Sequence, residues 1–188
     1  PINTGVHVYL ALQELIAREC PAISETALTI GQFCAGSASN VIPETAVLQG
    51  TMRSFDEKTM SHLIARLNEI VPSVAGAYRT KAEIEVISDI PIVRCNEELN
   101  QEIVEGLKEL EPELKAVCAY HVMGSEDFAY ISQKIPASYM CIGAGIEDVS
   151  KRYVEHNPKV RFHEPALAKG AAISAGTAMR RLERHGNQ

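Results

Sequence analysis

Apolar residues at helical spacing open the chain. Val8, Leu12 and Leu15 recur every three or four positions and predict a helix over residues 5–19 with one buried face. Pro21 ends this helix, because a proline disfavours the helical conformation in the residue before it. The first element is therefore expected to be a helix packed along one side.

Period-two alternation follows in two segments, residues 26–34 and 44–53. In the first segment the even-numbered residues, including Gln32 and Cys34, are predicted to share one face. In the second segment the even-numbered residues up to Met52 are predicted to do the same. The sequence thus predicts two half-buried strands, which are joined by a loop of small residues.

A second helix and a third strand complete the first half of the chain. Asp56 is a suitable N-cap for the helix, and residues 81–88 alternate as a strand does. The order helix, strand, strand, helix, strand is that of a ferredoxin-like βαββαβ unit without its first strand, which is expected upstream of Pro1. The inward-facing residues are Met60, Leu63, Leu67, Ile70 and Val74 in the helix and Ala82, Ile84 and Val86 in the strand.

A change in composition at residues 89–91 predicts a boundary between two domains, residues 1–91 and residues 92–188. Helices and strands alternate in the second domain, which predicts an α/β layer. Its first predicted element is a helix that Asn96 caps and that buries Leu99, Ile103, Leu107 and Leu110. A strand at 117–120, a helix capped by Ser125 and a strand at 138–143 are predicted to follow. The last predicted helix has Pro165 in its first turn and packs on a sheet through Ala168, Ala171, Ala172, Ala175 and Ala178.

Composition and charge exclude several classes of protein. The formal net charge is −6, and the basic residues form no patch of the kind that binds nucleic acid. No apolar run approaches the ~20 residues that span a bilayer, so no membrane partner is expected. The five cysteines are widely spaced and include no Cys-x-x-Cys pair. This pattern indicates reduced thiols in a cytoplasmic protein.

Three motifs carry the residues with chemistry. An Asn amide and an Arg fork can hold a carboxylate, adjacent acids suit a helix N-terminus, and a loop imidazole is a common metal ligand. Residue type alone leaves each motif open, because a turn Asn, a surface Arg, helix-start acids and a solvated His are the ordinary alternatives. The motifs are Asn40-Val41-Ile42-Pro43 with Gly50-Thr51-Met52-Arg53 behind it, Met123-Gly124-Ser125-Glu126-Asp127-Phe128, and His156-Asn157-Pro158-Lys159.

In this order and at this spacing, the three motifs resemble the aminoacylase/hippurate-hydrolase family. That family consists of metal-dependent amidohydrolases and carboxypeptidases, including N-acyl-amino-acid and indole-acetyl-amino-acid hydrolases. The resemblance runs over essentially the whole chain but covers only the later part of such a protein, so a partial chain is expected. It implies a ferredoxin-like lid and dimerisation domain over residues 1–91 and the C-terminal part of a zinc-exopeptidase-like α/β catalytic domain over residues 92–188.

The resemblance also assigns roles to five residues. Asn40 and Arg53, in the lid domain, are expected to hold the free carboxylate or the carbonyl of the substrate. Glu126 and Asp127 are expected to line the substrate cleft, and His156 is expected to bind a metal ion. No catalytic residue is placed in this chain, because the family's general base is a Glu that is expected upstream of its first residue.

Two divalent metal ions per complete subunit are implied by the same resemblance, with zinc, manganese, nickel and cobalt as the candidates. One His is not a site, because a catalytic zinc usually has three protein ligands. The remaining ligands are therefore also expected upstream, and this chain alone is expected to be inactive.

The resemblance implies that the complete protein cleaves the amide bond of N-acyl amino acids of the hippurate type with metal-activated water. A dipeptidase or carboxypeptidase of the same family is one alternative, and a non-catalytic assembly module is the other. The expected partners are a small-molecule N-acyl amino acid or small peptide and a second copy of the protein, which forms a homodimer through residues 1–91.

Overall fold

The structure, a computed structural model, describes residues 1–117 and 121–186. Two compact units divide the chain: unit 1 is Pro1–Ile92 with Val122–Glu126, and unit 2 is Val93–His121 with Asp127–Gln188. The elements in chain order are α1 (Ile2–Glu14), a π-helical turn (Leu15–Glu19), β1 (Thr26–Ala35), β2 (Ala46–Ser54), α2 (Glu57–Ala77), α3 (Glu97–Leu110), α4 (Ala129–Ser132), a 3₁₀ turn (Val149–Lys151) and α5 (Pro165–His185).

In unit 1, α1 and α2 pack on the hairpin that β1 and β2 form. The helix predicted over residues 5–19 is α1 continued by the π-helical turn, and it begins earlier than predicted, at Ile2. Asp56 caps α2 as predicted, because its carboxylate accepts a hydrogen bond from the Thr59 N–H at 2.6 Å. Among the described residues, no helix has the length and apolar character that a membrane span requires. The buried core of the unit consists of Val8, Leu12, Leu15, Leu63 and Val71.

The hairpin contains a one-residue bulge that the alternation pattern did not predict. Gly31 lies at the register shift between the two strands and has no partner in the ladder. A bulge reverses the alternation of faces beyond it. Phe33 therefore turns towards α1, where its ring lies against Gly5. Leu28 and Ile30, before the bulge, pack against the core, so the prediction that Gln32 and Cys34 share a face with them is wrong.

Residues 81–88 do not form the predicted strand. Ala82 and Ile84 pack against the core of unit 1 as predicted, whereas Val86 is 58% exposed. Alternation specifies which side chains are buried, but a strand also needs a neighbour with which to pair its backbone groups. In the described part of the chain the sheet consists of β1 and β2.

Helices α3 and α5 make the core of unit 2. Asn96 caps α3 as predicted, accepting from the Leu99 N–H at 2.8 Å, and Pro165 lies in the first turn of α5, also as predicted. The alanine face of α5 does not pack on a sheet, because Ala168, Ala171, Ala172, Ala175 and Ala178 are all exposed. The two helices meet instead through the buried residues Ile103, Leu107 and Ile173.

The strand predicted at 138–143 is absent from the described structure. The Ala137 carbonyl accepts from the Asn96 N–H at 2.7 Å, and the Tyr139 N–H donates to the Cys95 sulfur at 3.3 Å. The segment is therefore bonded to the start of α3 and not to a neighbouring strand. Residues 118–120 of the strand predicted at 117–120 lie outside the described residues.

The helix that Ser125 was predicted to cap begins later, at Ala129, and no side chain caps it. The main-chain carbonyls of Asp127 and Phe128 already accept the first N–H groups of this single turn, from Tyr130 and Ile131, each at 3.0 Å. A side-chain cap is not required where main-chain carbonyls take these donors, so the N-cap prediction for Ser125 is wrong.

The chain exposes more surface than a folded protein of its mass normally does. Its accessible area is 14270 Å². One monomer of this mass is expected to expose about 8,900 Å², and two separate proteins of half the mass about 10,700 Å² together. Large apolar side chains contribute to the excess, and Tyr139, Ile142 and Phe162 are 45%, 41% and 59% exposed.

The fully buried Leu63 is expected to be essential to the stability of unit 1. Leu63→Ala should lower the free energy of unfolding by about 2–5 kcal/mol, because the site loses both apolar burial and packing. Urea unfolding followed by circular dichroism measures this change. Leu10, which is 53% exposed on α1, supplies the control, and Leu10→Ala should change the free energy by less than about 0.5 kcal/mol. Equal losses in the two variants would contradict this assignment of the core.

Candidate functional site

Asn40 lies in the exposed loop between β1 and β2. A hydrogen bond from the Val41 N–H to the Ala38 carbonyl, at 3.4 Å, shapes the turn around it. An open groove of about 450 Å³ lies along this loop and is lined by residues 34–37, 41, 43–45 and 47. The loop therefore presents the Asn40 amide at the surface, where a ligand has access to it.

Arg53 lies near the opposite end of β2 and pairs with Ala27 of β1. The strand between Ala46, where the loop of Asn40 enters, and Arg53 spans roughly 23 Å. The half-buried guanidinium donates a hydrogen bond from Nη1 to the main-chain carbonyl of Met123. The structure thus brings Arg53 to the second motif, in a contact that sequence reasoning missed. Every residue carries a main-chain carbonyl, so residue type does not show which carbonyl accepts a hydrogen bond. The sequence alone could therefore not predict this contact.

Glu126 and Asp127 do not act as a pair at a helix start. Both precede α4, which begins at Ala129. Glu126 is half-buried and belongs to unit 1, whereas Asp127 is exposed and belongs to unit 2. The two adjacent carboxylates therefore lie in different surroundings and do not form one acidic pair.

His156 lies exposed in a turn with an unusual backbone conformation. Its φ is 65°, in the left-handed region, which costs a residue other than glycine about 1–2 kcal/mol. Hydrogen bonds fix this turn: the Asn157 N–H donates to the Val154 carbonyl at 3.2 Å, and the Lys159 N–H donates to the Asn157 Oδ1 at 2.9 Å. Residues in such conformations occur preferentially at functional sites. Sequence reasoning placed His156 in a loop but did not predict its conformation.

The segment that leads into the His156 turn is bonded to the segment that follows it. The His163 N–H donates to the Ala144 carbonyl at 2.8 Å, and the Arg152 Nε–H donates to the Ile146 carbonyl at 2.6 Å. Hydrogen bonds from the Lys151 ammonium, and then from Ser150, hold the pKa of Asp148 below its ordinary value. These contacts close a loop around His156.

The described residues do not fit a complete metal site. No group of three or more His, Cys, Asp and Glu side chains among residues 1–117 and 121–186 could hold a metal ion. A catalytic zinc requires about three protein ligands. The exposed His156 could therefore supply one ligand of a metal site but cannot form such a site with the other described side chains.

Comparison with known proteins identifies the family of the chain. The sequence profile of Peptidase family M20/M25/M40 matches residues 5–180. The chain belongs to this family. The match confirms the resemblance at the level of a family of metal-dependent hydrolases, since relatives of this M20 chain include proteins named as an amino-acid-conjugate hydrolase and as carboxypeptidases.

Two curated relatives show how much of a protein the M20 chain covers. It is 30% identical over 188 residues to "IAA-amino acid hydrolase ILR1-like 2" of Arabidopsis thaliana, with 97% of this chain and 42% of that protein aligned. It is 29% identical over 181 residues to "Thermostable carboxypeptidase 2" of Saccharolobus solfataricus, with 96% of this chain and 45% of that protein aligned. The chain thus spans less than half the length of these relatives.

A solved structure supports the mixed α/β fold. The crystal structure of the YxeP protein of Bacillus subtilis, described as a dinuclear metal-binding peptidase from the M20 family, matches with a TM-score of 0.76. The two proteins are 24% identical, and the match covers 97% of this chain and 46% of YxeP. At this identity the likeness shows the fold alone.

Proposed function

We propose that the full-length protein to which this chain belongs is a metal-dependent amidohydrolase that cleaves N-acyl amino acids of the hippurate type. The observation that carries the proposal is the chain-long 30% identity to a protein named as a hydrolase of IAA-amino acids. A substrate of this class offers a free carboxylate and an amide carbonyl, which are the groups that an Arg fork and an Asn amide recognise.

Five residues of this chain have proposed roles in recognising the substrate or the metal. Arg53 binds the substrate carboxylate, and Asn40 donates its amide to the carboxylate or the carbonyl. Glu126, with Asp127 beside it, lines the cleft. His156 is proposed as one metal ligand. The left-handed conformation of the His156 backbone supports this role, because backbone strain of this kind persists where function requires it.

The metal ions of the proposed enzyme are divalent, two per complete subunit, and are zinc, manganese, nickel or cobalt. His156 supplies one ligand, and segments outside this chain supply the others and the general base. Metal analysis of the purified full-length protein tests this part of the proposal directly, and a protein that is active without any divalent metal would contradict it.

A carboxypeptidase or dipeptidase is the second candidate, and the 29% identity to a thermostable carboxypeptidase favours it. The two candidates differ in the group on the acyl side of the scissile amide, which is a simple acyl group for the first and an amino acid residue for the second. Comparing kcat/KM for an N-benzoyl amino acid and for a dipeptide with the same C-terminal residue separates them. A clear preference for the benzoyl compound supports the first candidate, and the reverse preference supports the second.

We further propose that residues 1–91 form a ferredoxin-like lid domain that joins two copies into a homodimer, and that residues 92–188 form the C-terminal part of the catalytic domain. In the described sheet, both β1 and β2 have an outer edge without a partner strand. Such an edge tends to recruit another strand or to be covered. We expect the full-length protein to sediment as a dimer at micromolar concentration, and a monomer under these conditions would contradict the proposal.

The proposed role of Arg53 predicts a selective effect of Arg53→Lys. KM for substrates with a free carboxylate should rise about 10- to 100-fold, because an ammonium group cannot reproduce a bidentate contact. KM for the matching substrate amides should change little. Steady-state kinetics on both series measure the difference. The exposed Arg18 serves as a control, and Arg18→Lys should leave both values unchanged.

A further inference from the structure

We infer that Arg53 has a second role: it positions the segment Val122–Glu126 through the main-chain carbonyl of Met123. This inference deepens the proposed function and rests on it for its kinetic part. The contact joins residues that are 70 positions apart in the sequence. Arg53 would then be a positioning residue as well as a carboxylate-binding one.

The segment Val122–Glu126 needs an anchor from outside itself. It forms neither helix nor strand, so its backbone groups have no ladder of their own. Gly124 follows directly after Met123 and adds backbone freedom at this point. A hydrogen bond from a charged donor to a carbonyl is stronger than one between neutral groups. The Arg53 guanidinium therefore restricts this segment at Met123.

Arg53 is itself held firmly, so it can set the position of Met123. Its strand pairs with β1 at Ala27, and the neighbouring Met52 packs against the core of unit 1. Because Arg53 is fixed relative to that core, its hydrogen bond also fixes the position of the Met123 carbonyl relative to the core. The half-buried Glu126, three residues further along the chain, is placed with it.

One guanidinium can serve both roles at once. Arg carries five N–H donors in a planar fork, and the bond to Met123 uses Nη1. The Nε–H and Nη2–H donors lie along the other edges of the fork and can take a carboxylate there. A lysine at position 53 could still donate one bond to the carbonyl, but it could not present the fork. The two roles are therefore separable by mutation.

Limited proteolysis of the 188-residue chain with a glutamate-specific protease tests the positioning role without any substrate. Cleavage after Glu126 should be at least about tenfold faster in Arg53→Ala than in the wild type, the effect expected from losing a charged hydrogen bond. In Arg53→Lys it should stay within about threefold, because a single donor remains.

Two controls make the proteolysis specific. Cleavage after Glu44, in the exposed loop of unit 1, should proceed at the same rate in all variants. If it accelerates together with cleavage after Glu126, unit 1 has loosened as a whole and the local anchor is refuted. Thr51→Ala changes an exposed residue of the same strand and should leave both rates unchanged. A rate after Glu126 in Arg53→Ala within about twofold of the wild type would also overturn the inference.

Kinetics of the full-length protein provide a readout that a purely structural contact would not change. In Arg53→Ala, kcat should fall about tenfold even for substrate amides, which lack the carboxylate. In Arg53→Lys, kcat for the amides should fall less than in Arg53→Ala, because one donor to the Met123 carbonyl remains, while KM rises for free carboxylates. An unchanged kcat for the amides in Arg53→Ala would refute the positioning role. If the protein hydrolyses no N-acyl amino acid, the proposed function fails, and the proteolysis still decides the role of Arg53.

Discussion

Replacement of His156 by alanine in the full-length protein is expected to lower hydrolysis of N-acyl amino acids by at least about 100-fold. Removing a residue that merely orients a metal ligand already costs roughly 10- to 100-fold, and loss of the ligand itself should cost no less. The bound metal should fall in parallel, and elemental analysis of the same preparation measures it. The protein should remain folded, because His156 is exposed.

Two companion variants separate metal binding from backbone strain. His163→Ala removes an exposed imidazole from the same loop region and should leave metal content and activity near the wild-type level. His156→Gly should be as inactive as His156→Ala but more stable by up to about 1 kcal/mol, because glycine adopts the left-handed conformation readily. Near-normal activity and metal content in His156→Ala would remove His156 from the site.

The 188-residue chain by itself is expected to hydrolyse no N-acyl amino acid, with or without added zinc, manganese or cobalt. A hydrolytic metal site needs about three ligands, a base for the water and a group that stabilises the oxyanion. Within the described residues, no cluster of metal-ligating side chains meets the first requirement. The assay is release of the free amino acid from a hippurate-type substrate by the purified chain.

A background activity from contaminating hydrolases is the main alternative in that assay. His156→Ala of the same chain, purified in the same way, is the matched control. Turnover that depends on added metal, persists through purification and is lost in this variant would show that the chain forms a complete site of its own.

The sequence predicted best those features that depend on neighbouring residues. Asp56 and Asn96 cap α2 and α3, and Pro165 opens α5, because each acts within its own helical turn. The strands expected at 81–88 and 138–143 are not present, although their patterns are those of strands. A strand depends on a partner elsewhere in the protein, and the pattern of one segment contains no information about that partner.

The candidate site was predicted only in part for a related reason. Motif order and spacing indicated the family, and the match over residues 5–180 confirms it. The bond between Arg53 and Met123 joins distant parts of the chain and has a main-chain carbonyl as its acceptor, so no residue type indicates it. The conformation of His156 is likewise a property of the closed loop around it. Gly31 has no partner in the ladder between β1 and β2, and the resulting bulge turns Phe33 to the other face of the hairpin. The hydrophobic pattern of the sequence does not indicate this bulge.

Unit 1 is built from two separate segments of the chain, and this has a consequence for biosynthesis. It consists of Pro1–Ile92 and Val122–Glu126, and the segment Val93–His121 between them belongs to unit 2. A ribosome that has released residues 1–92 has therefore delivered the hairpin and its two helices but not the segment that Arg53 holds. Domains generally begin to fold as they emerge, at about 5–20 residues per second. Arg53 should thus wait a few seconds for its partner on the nascent chain, and a gene truncated after residue 92 would encode a unit that never acquires it.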